Sequence, residues 1–452
     1  MQPSEIADHL TQIWWAGVKA VQSEQLVASV IETTDSSLHI AGIEATPGAQ
    51  GRLLVVGAGK AGTGMAKGVE AAIEPSQFAD RLSGWVNVPE DCIEPMEKIT
   101  LHAGRPAGVN EPTSAGVEGT NRILELVSNA TEQDVCLVLI SGGGSALLPA
   151  PKAPLSWEQK RDVTRFLMTH EATISELNTV RKQLSAVKGG GLARACNAGK
   201  MIVLIISDVM GDPLDVIASG PTVPDSTTAA DALKVLAKCG AQGESWYPTL
   251  EQVLKPSACS MTTQSAEHWS NEQGCEIHNC VVGSLSVAMK AASEKAVSLG
   301  YEVVDRGDRC EGNARELGHQ LITELSSQKS DRPVCLIAGG ETTVHLAPEA
   351  SRGKGGRNQE MALATVETIP NAEHWEKLGF LSGGTDGEDG PTDAAGGVIT
   401  QAVIEQIESL KADVKSALDR SDAYTLLGQV GGLLKTGPTH TNVMDLQVGI
   451  RQ

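Results

Sequence analysis

The 452-residue sequence carries little positive charge, with 36 lysines and arginines against 56 aspartates and glutamates. The net charge of −20 at pH 7 leaves no basic surface in bulk to neutralise phosphates, so we expect no nucleic-acid partner. Long apolar runs are also missing, and the N-terminus lacks a basic segment followed by a signal-like apolar run. These absences predict a cytoplasmic protein with no membrane partner.

Paired cysteine and histidine motifs are absent as well. The nine cysteines are odd in number and form no CxxC pair, which predicts free thiols in a reducing compartment. There is no HExxH sequence and no other Cys/His spacing typical of a zinc site. Neither Ser141 nor Ser382 lies in a G-x-S-x-G motif, so a Ser-His-Asp hydrolase has little support.

Aromatic residues make up only 3% of the chain, whereas glycine is abundant, with 48 residues. Small residues suit an α/β protein whose helices pack close to its strands. Short apolar runs alternate with helical periodicity, which predicts mainly parallel sheets with helices on both faces. The length predicts two domains. We expect a larger, Rossmann-like N-terminal domain over residues 1–250, a polar linker over 251–275, and a second α/β domain over 276–452.

The most informative stretch reads LSGGTDGEDGPTDAAGG. Gly383 and Gly384 end a short apolar run, and three aspartates follow, Asp386, Asp389 and Asp393. Glycines let the backbone approach a ligand, and carboxylates at such a turn can hold Mg²⁺ or accept a hydroxyl proton. The loop therefore favours phosphoryl transfer, with a plain acidic turn as the open alternative. Asp386 is the preferred site residue, and the later aspartates are expected to shape the loop or cap the segment that follows.

A second glycine-rich turn, LLVVGAGKAG, follows a predicted strand and precedes a helix. Gly57, Gly59 and Gly62 match G-x-G-x-x-G, so a dinucleotide fold stays open. Lys60 lies inside the turn, however, and no acidic residue stands at the tip of the next strand where a ribose contact would need it. The alternative is a cation at a helix N-terminus, where an anion would bind.

Three more loops follow apolar strands. LVLISGGGSALL has consecutive glycines between Ser141 and Ser145, which predicts a nest of N–H groups for phosphate or carboxylate. LIISDVMGDP places Asp208 and Asp212 on either side of a glycine, where a magnesium ligand or a base is common. CLIAGGETTVHL is followed by the cationic loop SRGKGGRNQE, in which Arg357 can balance developing phosphoryl charge.

Taken in this order, these loops resemble those of class II glycerate kinase, the glycerate 2-kinase family whose C-terminal half is called the MOFRL domain. The resemblance covers nearly the whole chain and includes VVGAGKAGTGMA, LVLISGGGSALL, LNTVRKQLSAVKGGGLA, LIISDVMGDPLDVIASGPTVPD, GGETTVHL, GKGGRNQE, SGGTDGEDGPTDAAG and KTGPTHTNVMDL. It implies ATP- and Mg²⁺-dependent phosphorylation of D-glycerate to 2-phosphoglycerate in a cleft between two α/β domains. It also allows a homodimer.

The resemblance implies roles for particular residues of this chain. The implied catalytic residues are Lys60, Asp208, Arg357 and Asp386. The implied substrate- and phosphate-binding residues are Gly59, Ser141, Gly142, Gly143, Gly144, Ser145, Asn178 and Lys182. The implied nucleotide-binding residues are Gly339, Gly340, Glu341, Thr342, Gly383, Gly384 and Thr385. Asp208 and Asp212 are the candidate Mg²⁺ ligands, and the choice between base and metal ligand stays open.

Two departures and two alternatives accompany this reading. Arg105 stands where relatives usually carry His, and His440 stands where Gly is usual, which leaves substrate-side details open. An NAD(P)-dependent hydroxypyruvate reductase is the first alternative, because it would use the G-x-G-x-x-G turn. A non-catalytic metabolite-binding protein is the second, although the set of Lys, Arg and Asp residues argues for catalysis.

Overall fold

The computed structural model describes residues 3–109, 111–254 and 265–452 of the chain. Residues 255–264 of the predicted linker, and with them Cys259, therefore lie outside the described residues. The helices are α1 (Pro3–Ala20), α2 (Ser23–Ser29), α3 (Gly62–Ile73), α4 (Ser114–Ser128), α5 (Gly144–Leu147), α6 (Trp157–Thr169), α7 (Ile174–Gln183), α8 (Gly191–Arg194), α9 (Ala229–Lys238), α10 (Tyr247–Val253), α11 (Leu285–Ser298), α12 (Ala314–Ser327), α13 (Arg357–Thr368), α14 (Gln401–Leu410), α15 (Val414–Asp419) and α16 (Ala423–Val430).

The strands alternate with these helices along most of the chain. They are β1 (Ile31–Thr33), β2 (Leu38–Ile40), β3 (Ile43–Glu44), β4 (Leu53–Ala58), β5 (Leu82–Pro89), β6 (Ile99–Arg105), β7 (Val135–Ile140), β8 (Lys200–Ile206), β9 (His268–Ser270), β10 (Glu276–Gly283), β11 (Glu302–Asp305), β12 (Val334–Gly340), β13 (Leu378–Gly384), β14 (Gly396–Thr400), β15 (Leu433–Leu434) and β16 (Asp445–Arg451). The alternation confirms the predicted α/β class.

The first large sheet has the strand order β6-β5-β4-β7-β8-β10-β9. The four pairings from β6 to β8 are parallel, and β10 pairs with β9 in the antiparallel sense. Strands β4 and β7 are buried along their whole length, as expected of strands with helices on both faces. The order of the five parallel strands is that of a Rossmann sheet. From β4 to β6 the chain adds strands toward one edge, and from β7 to β8 it adds them toward the other edge. The strand order therefore reverses between β4 and β7, where such sheets bind ligands.

The second large sheet has the order β11-β12-β16-β13-β14-β15. Only β11 and β12 pair in parallel, whereas the other four pairings are antiparallel. The expectation of mainly parallel sheets therefore holds for the first sheet and fails for this one. The reason is that β16, the last strand of the chain, enters between β12 and β13 and runs opposite to both. An apolar run shows that a strand is buried but does not encode its direction.

The contacts between Cα atoms divide the chain into two compact units. The N-terminal unit comprises Ser23–Ile206 and Asp212–Val282, and the C-terminal unit comprises Met1–Gln22, Ser207–Gly211 and Gly283–Gln452. These compact units are discontinuous in sequence, whereas the predicted domains are continuous and meet at a linker between residues 250 and 276. The predicted domain boundaries stay a prediction. Within the described residues, no helix combines the length and apolar character needed to cross a bilayer.

Helix α1 packs in the C-terminal unit, although it opens the chain. Its apolar stripe, including Leu10 and Trp14, is buried in one cluster with α11 and with strands β12, β13 and β16. Glycines on β13 make room for this helix: a Cβ on Gly379 would lie 2.5 Å from Ile6, and one on Gly383 would lie 3.0 Å from the Trp14 indole nitrogen. The apolar residues of α1 recur at helical spacing, but periodicity does not identify the surface that a helix covers.

Candidate active site

The carboxyl ends of β4 and β7 bring two of the predicted loops together in the N-terminal unit. The Lys60 amide donates to the Gly142 carbonyl (2.9 Å), and the Ala61 amide donates to the Ser141 hydroxyl (3.1 Å). Gly59 has a φ of +152°, and a Cβ there would lie 2.0 Å from the Ser141 Oγ. Glycine is therefore required at position 59 because the two loops touch.

The loop that follows β7 turns sharply at Gly143, whose φ is +75°. The Gly144 amide donates back to the Ser141 carbonyl (3.1 Å), and a Cβ on Gly144 would lie 3.1 Å from the Ala58 carbonyl oxygen. Ser141 is buried and Ser145 is partly exposed. The glycines 142–144 thus let the chain pass close to β4 and present Ser145 at the surface.

Lys60 differs from its neighbours because its side chain is exposed. Its amide fixes the turn, but within the described ranges its ammonium group makes no hydrogen bond and no ion pair. The fold therefore holds the backbone of Lys60 in place and leaves the charge available. This arrangement suits a cation that pairs with a ligand rather than with the protein.

Ser145 lies in a cluster of polar side chains that the sequence interpretation did not identify. The Lys188 ammonium donates to the Ser145 hydroxyl (2.6 Å) and carbonyl (2.9 Å), and Ser145 Oγ is 3.0 Å from Ser219 Oγ. The Arg181 guanidinium also reaches the Ser145 hydroxyl, at 3.4 Å. The LNTVRKQLSAVKGGG stretch contained Arg181 and Lys188, but helical spacing alone could not show that both side chains return to β7.

Two further residues predicted to bind substrate lie beside this cluster on α7. The Asn178 Oδ1 accepts a hydrogen bond from Arg181 (3.4 Å), which helps to orient the guanidinium. Lys182 is buried and its ammonium lies 3.4 Å from Asp215 and 3.9 Å from Asp225. Lys182 therefore already has two carboxylate partners, and its role in binding substrate stays a prediction.

In the C-terminal unit, the strand ends of β12 and β13 meet the start of β16. Gly340 and Gly384 both stand opposite Asp445 in the registers of their pairings with β16. Gly340 has a φ of +153° and lies against the backbone of Cys310, whereas Gly339 makes room for the side chain of Leu285. The antiparallel insertion of β16 therefore brings the GGE and SGGTD loops to one edge of the sheet.

Arg357, the first residue of α13, is fixed at this edge. Its Nε and Nη2 atoms donate to the two carboxylate oxygens of Asp445 (2.6 and 3.0 Å), and its Nη1 donates to Glu341 (2.9 Å). Burial alone would lower the pKa of Arg357, but the hydrogen bonds and charge of Asp445 raise it above its usual value. Arg357 is therefore a fixed, permanently charged cation whose side chain remains 34% exposed.

Asp445 was not among the predicted site residues. It is 1% exposed, so its charge depends on the paired, bidentate contact with Arg357. A single acidic residue at the start of the last strand, in NVMDL, gave no signal that it would face a cation 88 residues away. The neighbouring Thr342 is buried, and its hydroxyl makes no hydrogen bond to the described part of the chain.

The loop after β13 holds Thr385 and Asp386. The Thr385 hydroxyl donates to the Met444 carbonyl (2.7 Å) and accepts from the Val443 amide (2.9 Å), so it anchors the loop to the chain before β16. Asp386 is partly exposed, and its Oδ1 accepts from the Glu388 amide (3.1 Å). The carboxylate is oriented by its own loop and remains accessible.

Asp389 caps a helix that precedes it in the sequence. Its two carboxylate oxygens accept from the amides of Asn358 (3.1 Å) and Gln359 (2.8 Å), in the first turn of α13. The expectation that it caps the following segment is therefore corrected, because the loop folds back over the start of α13. Burial raises the pKa of Asp389 to about 7, and the charge of Asp445 adds to this effect while the two backbone hydrogen bonds and Arg357 oppose it.

The raised pKa of Asp389 predicts how stability depends on pH. The folded state holds the proton to about pH 7, whereas the unfolded chain loses it near pH 4, so this residue stabilises the fold most below pH 4. We expect the free energy of unfolding of the unmodified protein, relative to Asp389→Asn, to fall by about 1 kcal/mol per pH unit between pH 5 and 7. Urea unfolding at several pH values measures this difference.

Asp393 is the matched control for this measurement. It lies in the same loop but is exposed, and hydrogen bonds from Tyr424 and Lys435 lower its pKa. The difference between the unmodified protein and Asp393→Asn should therefore stay constant between pH 5 and 7. A constant difference for Asp389→Asn as well would mean that Asp389 is already ionised at pH 5.

The two candidate magnesium ligands lie in different units. Asp208 belongs to the C-terminal unit and Asp212, which has a φ of +52°, belongs to the N-terminal unit. Among the described residues, no group of three or more His, Cys, Asp or Glu side chains could hold a metal ion. The paired site therefore stays a prediction.

His440 and Arg105 are the two positions at which this chain departs from the residues usual in the resembling family. His440 has a φ of +59°, the left-handed region in which glycine is unstrained, which explains why glycine suits this position. Arg105 ends β6 and is 4% exposed, and it donates to the Val109 carbonyl. Burial lowers its pKa, while the nearby charge of Asp91 opposes this effect.

Comparisons with known proteins cover most of the chain. Residues 9–255 match the family described as a domain of unknown function, DUF4147, and residues 334–445 match the MOFRL family. A Thermotoga maritima protein named D-glycerate 2-kinase is 38% identical over 407 residues, which cover 88% of this chain and 90% of its own. A crystal structure titled glycerate kinase from the same organism is 32% identical, with a TM-score of 0.81 and coverage of 99% and 100%. An Agrobacterium vitis relative with the provisional name hydroxypyruvate reductase is 37% identical over 405 residues, which cover 88% and 87%.

Proposed function

The chain belongs to the glycerate 2-kinase family that carries a MOFRL region, and we propose that it transfers the γ-phosphoryl group of ATP to D-glycerate, giving 2-phosphoglycerate. It is thus an ATP-dependent phosphotransferase with an alcohol group as acceptor. The observation that carries the proposal is Arg357, held by Asp445 and Glu341 at the edge where the two glycine-rich strand ends meet. A fixed guanidinium at such an edge suits the charge of a transferring phosphoryl group.

The proposed roles follow from how each side chain is held. Arg357 is pre-oriented and neutralises developing phosphoryl charge, whereas the exposed Lys60 pairs with the carboxylate of glycerate or with the same phosphoryl group. The loop from Ser141 to Ser145 offers backbone N–H groups and hydroxyls to an anionic part of either substrate. The residues 339–342 and 383–386 contact the nucleotide. Little covalent chemistry is needed, so positioning and charge neutralisation supply most of the rate.

We propose Mg²⁺ as the metal that accompanies ATP. When bound, it would neutralise the negative charge of the phosphates, and such a site needs only one or two carboxylates from the protein. Asp386 would supply one such carboxylate, because the residue is partly exposed at the end of β13 and its Oδ1 is oriented by the Glu388 amide. Asp208 and Asp212 stay as further candidates, and the choice of the base that accepts the hydroxyl proton between Asp208 and Asp386 stays open.

A direct assay tests the proposal. Purified protein receives ATP, Mg²⁺ and D-glycerate, and ADP formation is followed against a reaction that lacks glycerate. A phosphorus NMR spectrum of the product then separates 2-phosphoglycerate from 3-phosphoglycerate. ADP formation no faster than in the control would overturn the kinase assignment, and a 3-phosphoglycerate signal would overturn the regiochemistry alone.

The reductase alternative loses its main support in the structure. The glycines of the G-x-G-x-x-G turn are each explained by internal packing: a Cβ on Gly57 would meet the Leu139 carbonyl, one on Gly59 would meet Ser141, and one on Gly62 would meet Val88. A pyrophosphate is not needed to explain them. Loss of NADH absorbance with hydroxypyruvate would restore the alternative, and binding of ATP without product would favour a non-catalytic protein.

Assembly and location stay predictions. A homodimer is compatible with the proposed activity, since both sets of loops belong to one chain. A cytoplasmic location is supported by the cysteines, because the eight that the structure describes are all free thiols.

A further inference from the structure

The cluster around Ser145 and Lys188 contains more positive charge than its neighbours balance. Lys188 is 3% exposed, and within the described part of the chain its ammonium contacts only neutral oxygens, at Ser145 (2.6 and 2.9 Å) and Ser219 (3.4 Å). Arg181 contacts the same Ser145 hydroxyl (3.4 Å) and the Asn178 side-chain oxygen (3.4 Å), which are neutral too. A buried ammonium without a carboxylate partner is costly, so the cluster is unfavourable until an anion joins it.

A third buried cation adds to this imbalance. Lys160 on α6 is 6% exposed, and within the described residues its ammonium has no hydrogen-bond partner. Burial lowers the pKa of Lys160 to about 7, and the charge of Arg181 adds to the shift. Burial likewise holds the pKa of Lys188 well below its usual range, with contributions from Arg181 and Lys160. The three basic side chains therefore feel one another's charge.

The nearby carboxylates are committed elsewhere. Asp215 and Asp225 contact Lys182, at 3.4 and 3.9 Å, and Asp225 also accepts hydrogen bonds from Gln183 (2.9 Å) and Thr227 (2.9 Å). Their contacts are thus to Lys182, Gln183 and Thr227, and not to Lys188 or Arg181, in the described hydrogen bonds and ion pairs. The charge of Lys188 and Arg181 is left for a partner outside the protein.

The backbone holds this cluster in a strained conformation. Ala218 and Ser219 have φ values of +50° and +63°, a region that non-glycine residues rarely adopt, and Gly220 follows at +58°. The Gly189 amide donates to the Ser219 carbonyl (3.0 Å), which ties this turn to the chain that follows Lys188. Strain of this kind persists where the surrounding structure enforces it, most often at ligand sites. Here it fixes the Ser219 hydroxyl beside the Ser145 hydroxyl and the Lys188 ammonium.

We propose that Lys188, Arg181, Ser145 and Ser219 form an oxyanion site that binds one carboxylate or phosphate group of the reacting ligands. The site rests on the proposed kinase activity and adds to it, because none of its charge is supplied by Lys60 or Arg357. Ser145 and Arg181 are partly exposed and give the anion access, while Lys188 and Ser219 form the buried end. An anion there replaces the neutral contacts of Lys188 with a charge-assisted hydrogen bond.

The test is the replacement of Lys188 by methionine, which keeps the length of the side chain and removes the charge. Initial rates are measured against glycerate at saturating ATP, and against ATP at saturating glycerate. We expect KM for one substrate to rise at least about tenfold while KM for the other changes less than about twofold, since a charge-assisted contact is lost to one ligand only. A rise for glycerate identifies the carboxylate as the bound group, and a rise for ATP identifies a phosphate. Unchanged values, or equal rises for both substrates, would overturn the site.

Three further variants make the result specific. Lys234→Met removes an exposed lysine of α9 that pairs with Asp231, and it should leave both KM values unchanged. Lys188→Arg should recover part of the loss, because it restores the charge. Ser219→Ala provides a second route if Lys188→Met fails to fold, and it should raise the same KM as Lys188→Met. A Ser219→Ala protein with normal values for both substrates would contradict the proposal.

A binding measurement keeps this inference separate from the proposed activity. Inorganic phosphate should raise the thermal midpoint of the unmodified protein and of Lys234→Met above that in sodium chloride of equal ionic strength, and it should not do so for Lys188→Met. If the protein forms no ADP but shows this pattern, the kinase assignment fails and the oxyanion site stands. Equal midpoint shifts in all three proteins would overturn the site even if ADP is formed.

Discussion

Replacing Arg357 by methionine is expected to lower kcat about a thousandfold, the scale at which an arginine contributes to phosphoryl transfer. The guanidinium is held by both oxygens of Asp445 and by Glu341, so it meets the developing charge without reorganising. Arg357→Lys should not rescue the rate, because an ammonium cannot reproduce the two-point contact with Asp445. Steady-state ADP release at saturating ATP and glycerate measures the effect.

Loss of activity through instability has to be separated from loss of chemistry. Arg357→Met leaves the carboxylate of Asp445, which is 1% exposed, without its partner, and we expect it to destabilise the fold by about 3 kcal/mol. The double variant Arg357→Met with Asp445→Asn removes the orphaned charge as well. It should recover most of the free energy of unfolding while kcat stays low.

Arg352 is the matched control in the same glycine-rich loop. Its Nε donates to the Ala347 carbonyl (2.8 Å) and it contacts neither Asp445 nor Glu341 in the described hydrogen bonds. Arg352→Met should keep kcat within about twofold of the unmodified protein, since it removes no contact to the charge that develops. If the double variant regained activity together with stability, Arg357 would be a structural residue and not a catalytic one.

The parts of the fold that could be predicted are those in which one local signal determines the outcome. The continuous apolar run from Val135 to Ile140 became a strand buried along its whole length, and the run from Met201 to Ile206 forms nearly all of β8. Strand direction is not local. Strand β16 therefore reversed the expected pairing in the second sheet, and α1 packed with strands more than 300 residues away.

The same distinction applies to the candidate site. Glycines at strand ends indicated where the loops lie. Within the N-terminal unit, Gly59 contacts Ser141. Within the C-terminal unit, Gly340 and Gly384 both pair with Asp445. Partners supplied by distant elements carried no such mark. No motif in the sequence distinguishes Asp445 in its strand or Lys188 in its loop. They become candidates only because the structure buries Asp445 next to the positive charge of Arg357, and Lys188 next to other positive charges.

Lys60→Met is expected to lower kcat/KM about a hundredfold while leaving stability unchanged, because its ammonium serves the ligand and not the fold. The Lys60 amide, which any residue supplies, keeps its hydrogen bond to Gly142. Initial rates at low glycerate and thermal unfolding measure the two quantities. Lys67→Met is the control on the adjoining helix, where the ammonium pairs with Glu94 on the surface (2.6 Å), and it should not change kcat/KM. Near-normal turnover of Lys60→Met would remove this residue from the chemistry.

The combined effect of replacing Lys60 and Arg357 tests whether the two side chains act on one group. If both neutralise the transferring phosphoryl group, the fold-loss of kcat in the double variant should be smaller than the product of the two single fold-losses. The reason is that the second substitution acts on a transition state that the first has already destabilised. If Lys60 binds only the glycerate carboxylate, the two losses should multiply, and the Lys60 effect should lie in the KM for glycerate. A double-mutant cycle of kcat and KM values distinguishes the two roles, and thermal unfolding of Lys60→Met shows whether the fold is involved at all.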